Sequence, residues 1–172
     1  RDRRKRVLNC AKQYQQNLLH KKLLIIFRER QDNSIRFIEI IFHERNYQHL
    51  TGLELTNTEG KILQHQSKNF YRKCIENKLG LNDVDKVMGG VNFCLGLSRE
   101  NDVFVPSSAL LEDIKKLTSS PSQVLAIFEK DIDSELYSTV KHVAKGLNLH
   151  HLILPPEISS KISLEHYVYR GK

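Results

Sequence analysis

The chain has 172 residues, 40% hydrophobic and 27% charged, which is long enough for one domain with a real core and too short to expect two. No run approaches the roughly 18 uninterrupted apolar residues of a membrane span, and the basic N-terminus leads into an amphipathic pattern instead of a signal-peptide block, so no membrane partner and a cytoplasmic location are expected. The formal net charge of +7 sits wholly in residues 1–22, which carry eight basic residues and one acidic, while the remainder balances 19 basic against 19 acidic.

In chain order, Val7, Ala11, Tyr14 and Leu18 recur at helical spacing, so residues 3–20 read as an amphipathic helix. Its basic face is either an arm that pairs with phosphates or a solvated helix surface. Leu23 to Phe27 and Arg36 to Phe42 are two β-rich runs joined by Gln31-Asp32-Asn33-Ser34, the pattern of an antiparallel hairpin. A polar-dense loop then runs from His43 to Leu55, and residues 56–66 continue as loop. Ser67 starts a helix over 68–79 that stops at Gly80, and a helical turn follows around 82–87.

Beyond the Gly89-Gly90 break, 91–97 and 102–105 read as strands across a turn at Ser98 to Asn101, with Pro106 ending the second. Ser107 or Ser108 then caps a third helix that carries Leu110, Leu111, Ile114 and Leu117. Val124 to Phe128 reads as a buried strand. Residues 134–146 fit both a helix and a strand, and the β-branched Thr139, Val140 and Val143 tip the reading to strand. Pro155-Pro156 stops any element, leaving 150–172 as a peripheral tail. One domain over 1–172 is the expectation. Cys10, Cys74 and Cys94 are odd in number, far apart and flanked by apolar residues, so neither a disulfide framework nor a zinc knuckle is implied.

No dinucleotide fingerprint, phosphate-binding P-loop, zinc-protease motif or nucleophile elbow is present, so no cofactor and no metal is expected. The side chains left are suited to metal-free phosphoryl chemistry on RNA: a base for the 2′-hydroxyl, an acid for the leaving 5′-oxygen, and cations around the phosphorane. Arg45, His49 and Thr51 fall within seven residues just after a core strand. His49 is the proton carrier by virtue of its near-neutral reference pKa, with Arg45 as a bidentate phosphate ligand and Thr51 as a hydroxyl donor. An ordinary surface histidine accounts for His49 equally simply, and His43 merely continues the strand. The Ser107-Ser108 pair offers an anion site at a helix start, with plain capping as the competing reading. Lys141, His142 and Lys145 place cations on one segment, or form a solvated edge. Tyr14, Tyr47, Tyr71 and Tyr137 are candidates for base stacking or for core packing.

The block Arg45-Asn46-Tyr47-Gln48-His49-Leu50-Thr51-Gly52, preceded by Phe37 to Phe42 and followed in order by Val103 to Ser108, Leu111 to Ile114 and Ala144-Lys145-Gly146, resembles a phage and bacterial family of the barnase/EndoU/colicin/RelE-like nuclease superfamily. The resemblance spans about residues 10–150, and between Val87 and Gly89 the chain is shorter than it leads one to expect. It implies an α+β fold, with N-terminal helix or helices packed on an antiparallel β-sheet, and a metal-independent endoribonuclease of the toxin or phage and mobile-element effector kind. It also implies Arg45, His49, Thr51, Ser107 and Lys145 as catalytic residues, with Asn46, Tyr47, Ser108 and Lys141 lining the substrate. RNA is then the expected ligand, and a neutralising antitoxin or a larger phage polyprotein the expected partner. The alternative is a catalytically inactive RNA- or protein-binding module that uses the basic segment 1–22.

Overall fold

The computed structural model of the chain describes residues 2–51, 84–163 and 168–169. Helix α1 (Asp2–Asn17) comes first and ends where His20, at φ 66°, reverses the chain into β1 (Lys21–Arg28). β1 forms a hairpin with β2 (Ile35–Ile41), Ile25 facing Ile38. The turn is built locally: the Asp32 carboxylate accepts the Ser34 backbone N–H at 3.0 Å and its hydroxyl at 2.6 Å. Asn33 takes the left-handed conformation, φ 59°, which asparagine tolerates better than most residues.

The unbroken apolar run of β1 is explained by its position, since it pairs with β2 on one side and β6 (Gln123–Asp131) on the other and both of its faces are covered. Ile25 joins Tyr14, Ile38, Ile40, Phe42, Leu97 and Phe104 beneath α1 and α2 (Glu44–Thr51). Leu24 and Ile26 join Phe128, Tyr137, Val140, Leu149, Ile158 and Ile162 on the opposite face.

One sheet of eight strands runs in the order β3-β4-β5-β2-β1-β6-β7-β8, the others being β3 (Lys86–Gly89), β4 (Cys94–Glu100), β5 (Val103–Leu110), β7 (Thr139–Val143) and β8 (Val168–Tyr169). The fold is α+β, but the sheet is mixed, not antiparallel. β5 joins β2 in parallel through Ile40 and Phe104, and β8 joins β7 in parallel. Hairpin signals report strands that are neighbours in sequence; they do not say which outer edges meet.

Several element readings change. The helical turn expected around 82–87 is strand β3 from Lys86. Pro106 does not end its strand, because it sits opposite Leu97 at a register shift in the β4–β5 pairing, where a missing N–H is tolerated. β5 therefore continues through Ser107 and Ser108, which cap no helix. The next helix, α3, is a single turn (Ile114–Leu117) whose cap is Asp113. Within residues 134–146, Thr139–Val143 form the strand β7, in a hairpin with β6. Pro156 begins α4 (Pro156–Ser159) instead of blocking it, since a helix's first residue needs no N–H. The tail is not peripheral either, for Ile158 is fully buried. Cys94 is buried as expected, whereas Cys10 is exposed. The expected loop at 56–66 and helix at 68–79, with Tyr71 and Cys74, lie outside the described residues.

Candidate active site

β2 ends at Ile41, Phe42 drops into the core, and His43 opens α2. Asn46 makes this start rigid: its Oδ1 accepts the His43 backbone N–H at 2.8 Å while the His43 carbonyl accepts the Asn46 N–H at 3.0 Å, a reciprocal cap of the kind that satisfies both ends of a first turn. The same amide's Nδ2 donates to the Pro106 carbonyl at 3.0 Å, tying α2 to β5. Tyr14 adds a hydrogen bond from its hydroxyl to the His43 carbonyl, 2.8 Å, and burial pushes its pKa up to about 12. Within the polar stretch, residues 44–51 are helical and not a loop because Tyr47 and Leu50, three residues apart, both pack on the core, and Glu44 lies at the positive end of the helix; residues 52–55 lie outside the described residues.

This pinned turn presents Arg45 outward. Its Nη2 lies 2.6 Å from Glu100 Oε2, and the other oxygen of Glu100 lies 3.5 Å from His43 Nε2. That imidazole nitrogen is shielded from solvent and has no hydrogen-bond partner, so it faces the carboxylate without yet bonding it. Arg45, by contrast, keeps 61% of its side chain exposed. His49 lies one helical turn after Arg45 on α2, and Thr51 is the last residue of that helix.

Asn46 is 5% exposed and uses its amide inside the protein, so it positions the site. Tyr47 packs its ring 5.2 Å from that of Tyr14, and Tyr14 and Tyr137 are buried. Ser107 and Ser108 follow Pro106 on β5, close to Asn46. The Ser107 hydroxyl donates to the Gly96 carbonyl at 3.2 Å; Ser108 is buried, and its hydroxyl has no partner.

Lys145 and Lys141 do not join this group. Val143, at the end of β7, faces Ala126, which faces Ile26, which in turn faces Phe37 near the start of β2. Lys145 is thus three strands from β2, roughly 15 Å, and at the opposite end of the strands from α2. Lys141, also on β7, lies 3.6 Å from Glu129. The sequence reading passed over His43 as a strand continuation and did not see Glu100 at all; nothing in the sequence flags a carboxylate 55 positions from its arginine. Among the described residues no three of His, Cys, Asp and Glu gather as metal ligands.

A helix-on-sheet architecture with an arginine, a carboxylate and an imidazole grouped at the end of a central strand is compatible with the barnase/EndoU/colicin/RelE-like class of nucleases. Residues 6–90, from α1 to β3, match the family described as phage-Barnase-EndoU-ColicinE5/D-RelE like nuclease 4. His43, Arg45, Asn46, Tyr47, His49 and Thr51 all fall within the matched segment, whereas Glu100, Ser107 and Ser108 lie beyond it. No curated protein and no solved structure matches the chain.

Proposed function

We propose that the protein is a metal-independent endoribonuclease whose active site is the start of α2 with Glu100. The observation that carries this is the Arg45–Glu100–His43 grouping in a chain whose residues 6–90 match a nuclease family. A phosphodiester entering beside Arg45 competes with Glu100 for the guanidinium and frees the carboxylate. Glu100 then takes the proton of the 2′-hydroxyl, the 2′-oxygen attacks phosphorus, and the P–O5′ bond breaks as His49 gives its proton to the leaving 5′-oxygen. Arg45 balances the charge that builds on the phosphorane, with Thr51 as a further donor. His43 acts through Glu100, holding the carboxylate in place. The products are a 2′,3′-cyclic phosphate and a 5′-hydroxyl. The match to a phage nuclease family favours a role as a toxin or mobile-element effector, for which a neutralising antitoxin or a phage polyprotein would be the restraining partner.

The test is cleavage of a mixed RNA pool in EDTA with product ends mapped. Wild-type protein should leave cyclic phosphate ends, and Glu100→Gln and His49→Ala should each lose about 10²-fold or more in kcat, as removal of a proton-transfer group does, with thermal stability nearly unchanged. Absence of wild-type cleavage across varied RNAs, or full activity in both variants, overturns the assignment. A second reading has a specific basis, because Arg45 and Glu100 already neutralise each other. If that pair persists with RNA bound, the chain is a binding module. Deleting residues 1–6 should weaken RNA binding and flatten its salt dependence, since each lost phosphate contact removes about 0.7 from the slope on a single strand; an unchanged slope takes the arm out of the interface.

A further inference from the structure

On the sheet face turned away from α1 and α2, three lysines gather around one carboxylate. Lys22 of β1 and Lys161, just after α4, place their Nζ atoms 2.5 Å and 2.6 Å from the two oxygens of Glu39. Lys130 of β6 stands opposite Lys22 in the strand register, with its ammonium 5.0 Å above the ring of Tyr137 and hydrogen-bonded to the carbonyls of Ser134 and Glu135. Tyr137 is 1% exposed, and burial, together with the Glu39 carboxylate against which its hydroxyl lies, pushes its pKa up.

One ammonium suffices to neutralise Glu39. Three, with Glu135 also near Lys130, still leave a net positive charge at a half-buried place, where like charges repel more strongly than in water. The strain registers on Lys130, whose pKa is held below the usual lysine range by burial and then by the charge of Lys22. A surplus of ammonium charge is the complement of a phosphate group, which offers several acceptor oxygens and negative charge.

The register places this cluster relative to the candidate active site. Ile40 and Phe104 are paired and share the face under the helices, so Glu39, one residue earlier, belongs to the other face. Phe104 is paired with Arg99, so Glu100 belongs to that other face as well. The two carboxylate positions are separated by β5 alone, about 10 Å across two strand spacings.

We propose that Lys22, Lys130 and Lys161 form a second phosphate subsite, which takes a backbone phosphodiester neighbouring the one that meets Arg45 on the same single strand. This rests on the nuclease reading above for the identity of the ligand. The subsite adds affinity and register without touching the reacting atoms.

Lys161→Gln leaves Lys22 on Glu39 and is the informative variant. Its affinity for a short 2′-O-methyl RNA oligonucleotide, which lacks the attacking hydroxyl, should fall several-fold, with the salt slope lower by about 0.7. Lys161→Arg should restore both, and cleavage of a dinucleotide, which has a single phosphate, should not change. Unaltered affinity and slope in Lys161→Gln overturn the proposal. If the variant does not fold, the wild-type protein decides: dimethyl phosphate must perturb the Nζ resonances of Lys22 and Lys161, and no perturbation overturns it. Perturbation by dimethyl phosphate with full oligonucleotide affinity in Lys161→Gln marks a small-phosphate site and also overturns it. Should wild-type protein bind the oligonucleotide yet cleave no dinucleotide or RNA, the nuclease reading fails, and the binding result still judges the subsite.

Discussion

Asn46 serves two elements with one side chain, capping α2 through Oδ1 and fastening β5 through Nδ2. Asn46→Ala strands the His43 N–H and the Pro106 carbonyl, both inside the protein. A buried polar group left unpaired costs about 1–3 kcal/mol, and the expected loss is about 2–4 kcal/mol in urea unfolding. Because Arg45 and His49 ride on the same helix, kcat for RNA should fall while the protein remains folded; a fully active variant would show that the cap does not position the site. The residue-level lesson concerns types as much as places. Arg45 was legible because it fell in a compact polar block. The Glu100 contact was not, since it joins residues 55 apart through a parallel pairing of β2 with β5, and a histidine after a strand, like His43, looks like any other strand end.

Elements were legible where local chemistry sets them. The β1–β2 turn is one case: the hydroxyl and then the backbone N–H of Ser34 hold the Asp32 carboxyl down to about 2 from 3.8. A folded-state pKa below the unfolded one means that the turn's contribution is present above the unfolded value and is lost as pH falls from about 4 through about 2. An NMR titration should show the Ser34 amide moving with a midpoint near 2 in wild type and not at all in Asp32→Asn; a midpoint near 4 would contradict the turn geometry. Helix α1 and the β6–β7 hairpin were legible for similar reasons, the first from its 3.6-residue stripe and the second from β-branched residues. The third helix was misread because Ser107 and Ser108 carry a local capping signal, and pairing with β4 as far as Cys94 opposite Leu110 outweighed it.

At the scale of the molecule, the C-terminal segment closes one face of the sheet as α1 and α2 close the other. Ile158 lies fully buried in that second core cluster. Ile158→Ala removes its methyl and methylene contacts and leaves a cavity, costing about 2–5 kcal/mol; chemical denaturation should show it, and a change under about 1 kcal/mol would mean the segment is only loosely attached. The segment is also held by charge. Burial pushes the Glu39 carboxyl up, but the hydrogen bonds from Lys161 and Lys22 outweigh it and leave its pKa below the usual glutamate range. The sign matches that of Asp32: this contribution holds at neutral pH and is lost as pH falls through the acid range. Lys161→Gln should therefore narrow the acid side of the stability profile.

The amino-acid sequence by itself determined the nuclease resemblance, the basic excess in residues 1–22, the opening helix and hairpin, and the block that contains Arg45. These depend on periodicity, turn residues and motif order, which are properties of neighbours along the chain. Only the tertiary structure decided that β5 lies parallel to β2, that Glu100 meets Arg45 while Lys145 sits at the far end of the strands, and that three lysines surround Glu39. Each of those is a pairing of distant segments, set by which sheet edges and apolar faces fit together once the chain has folded.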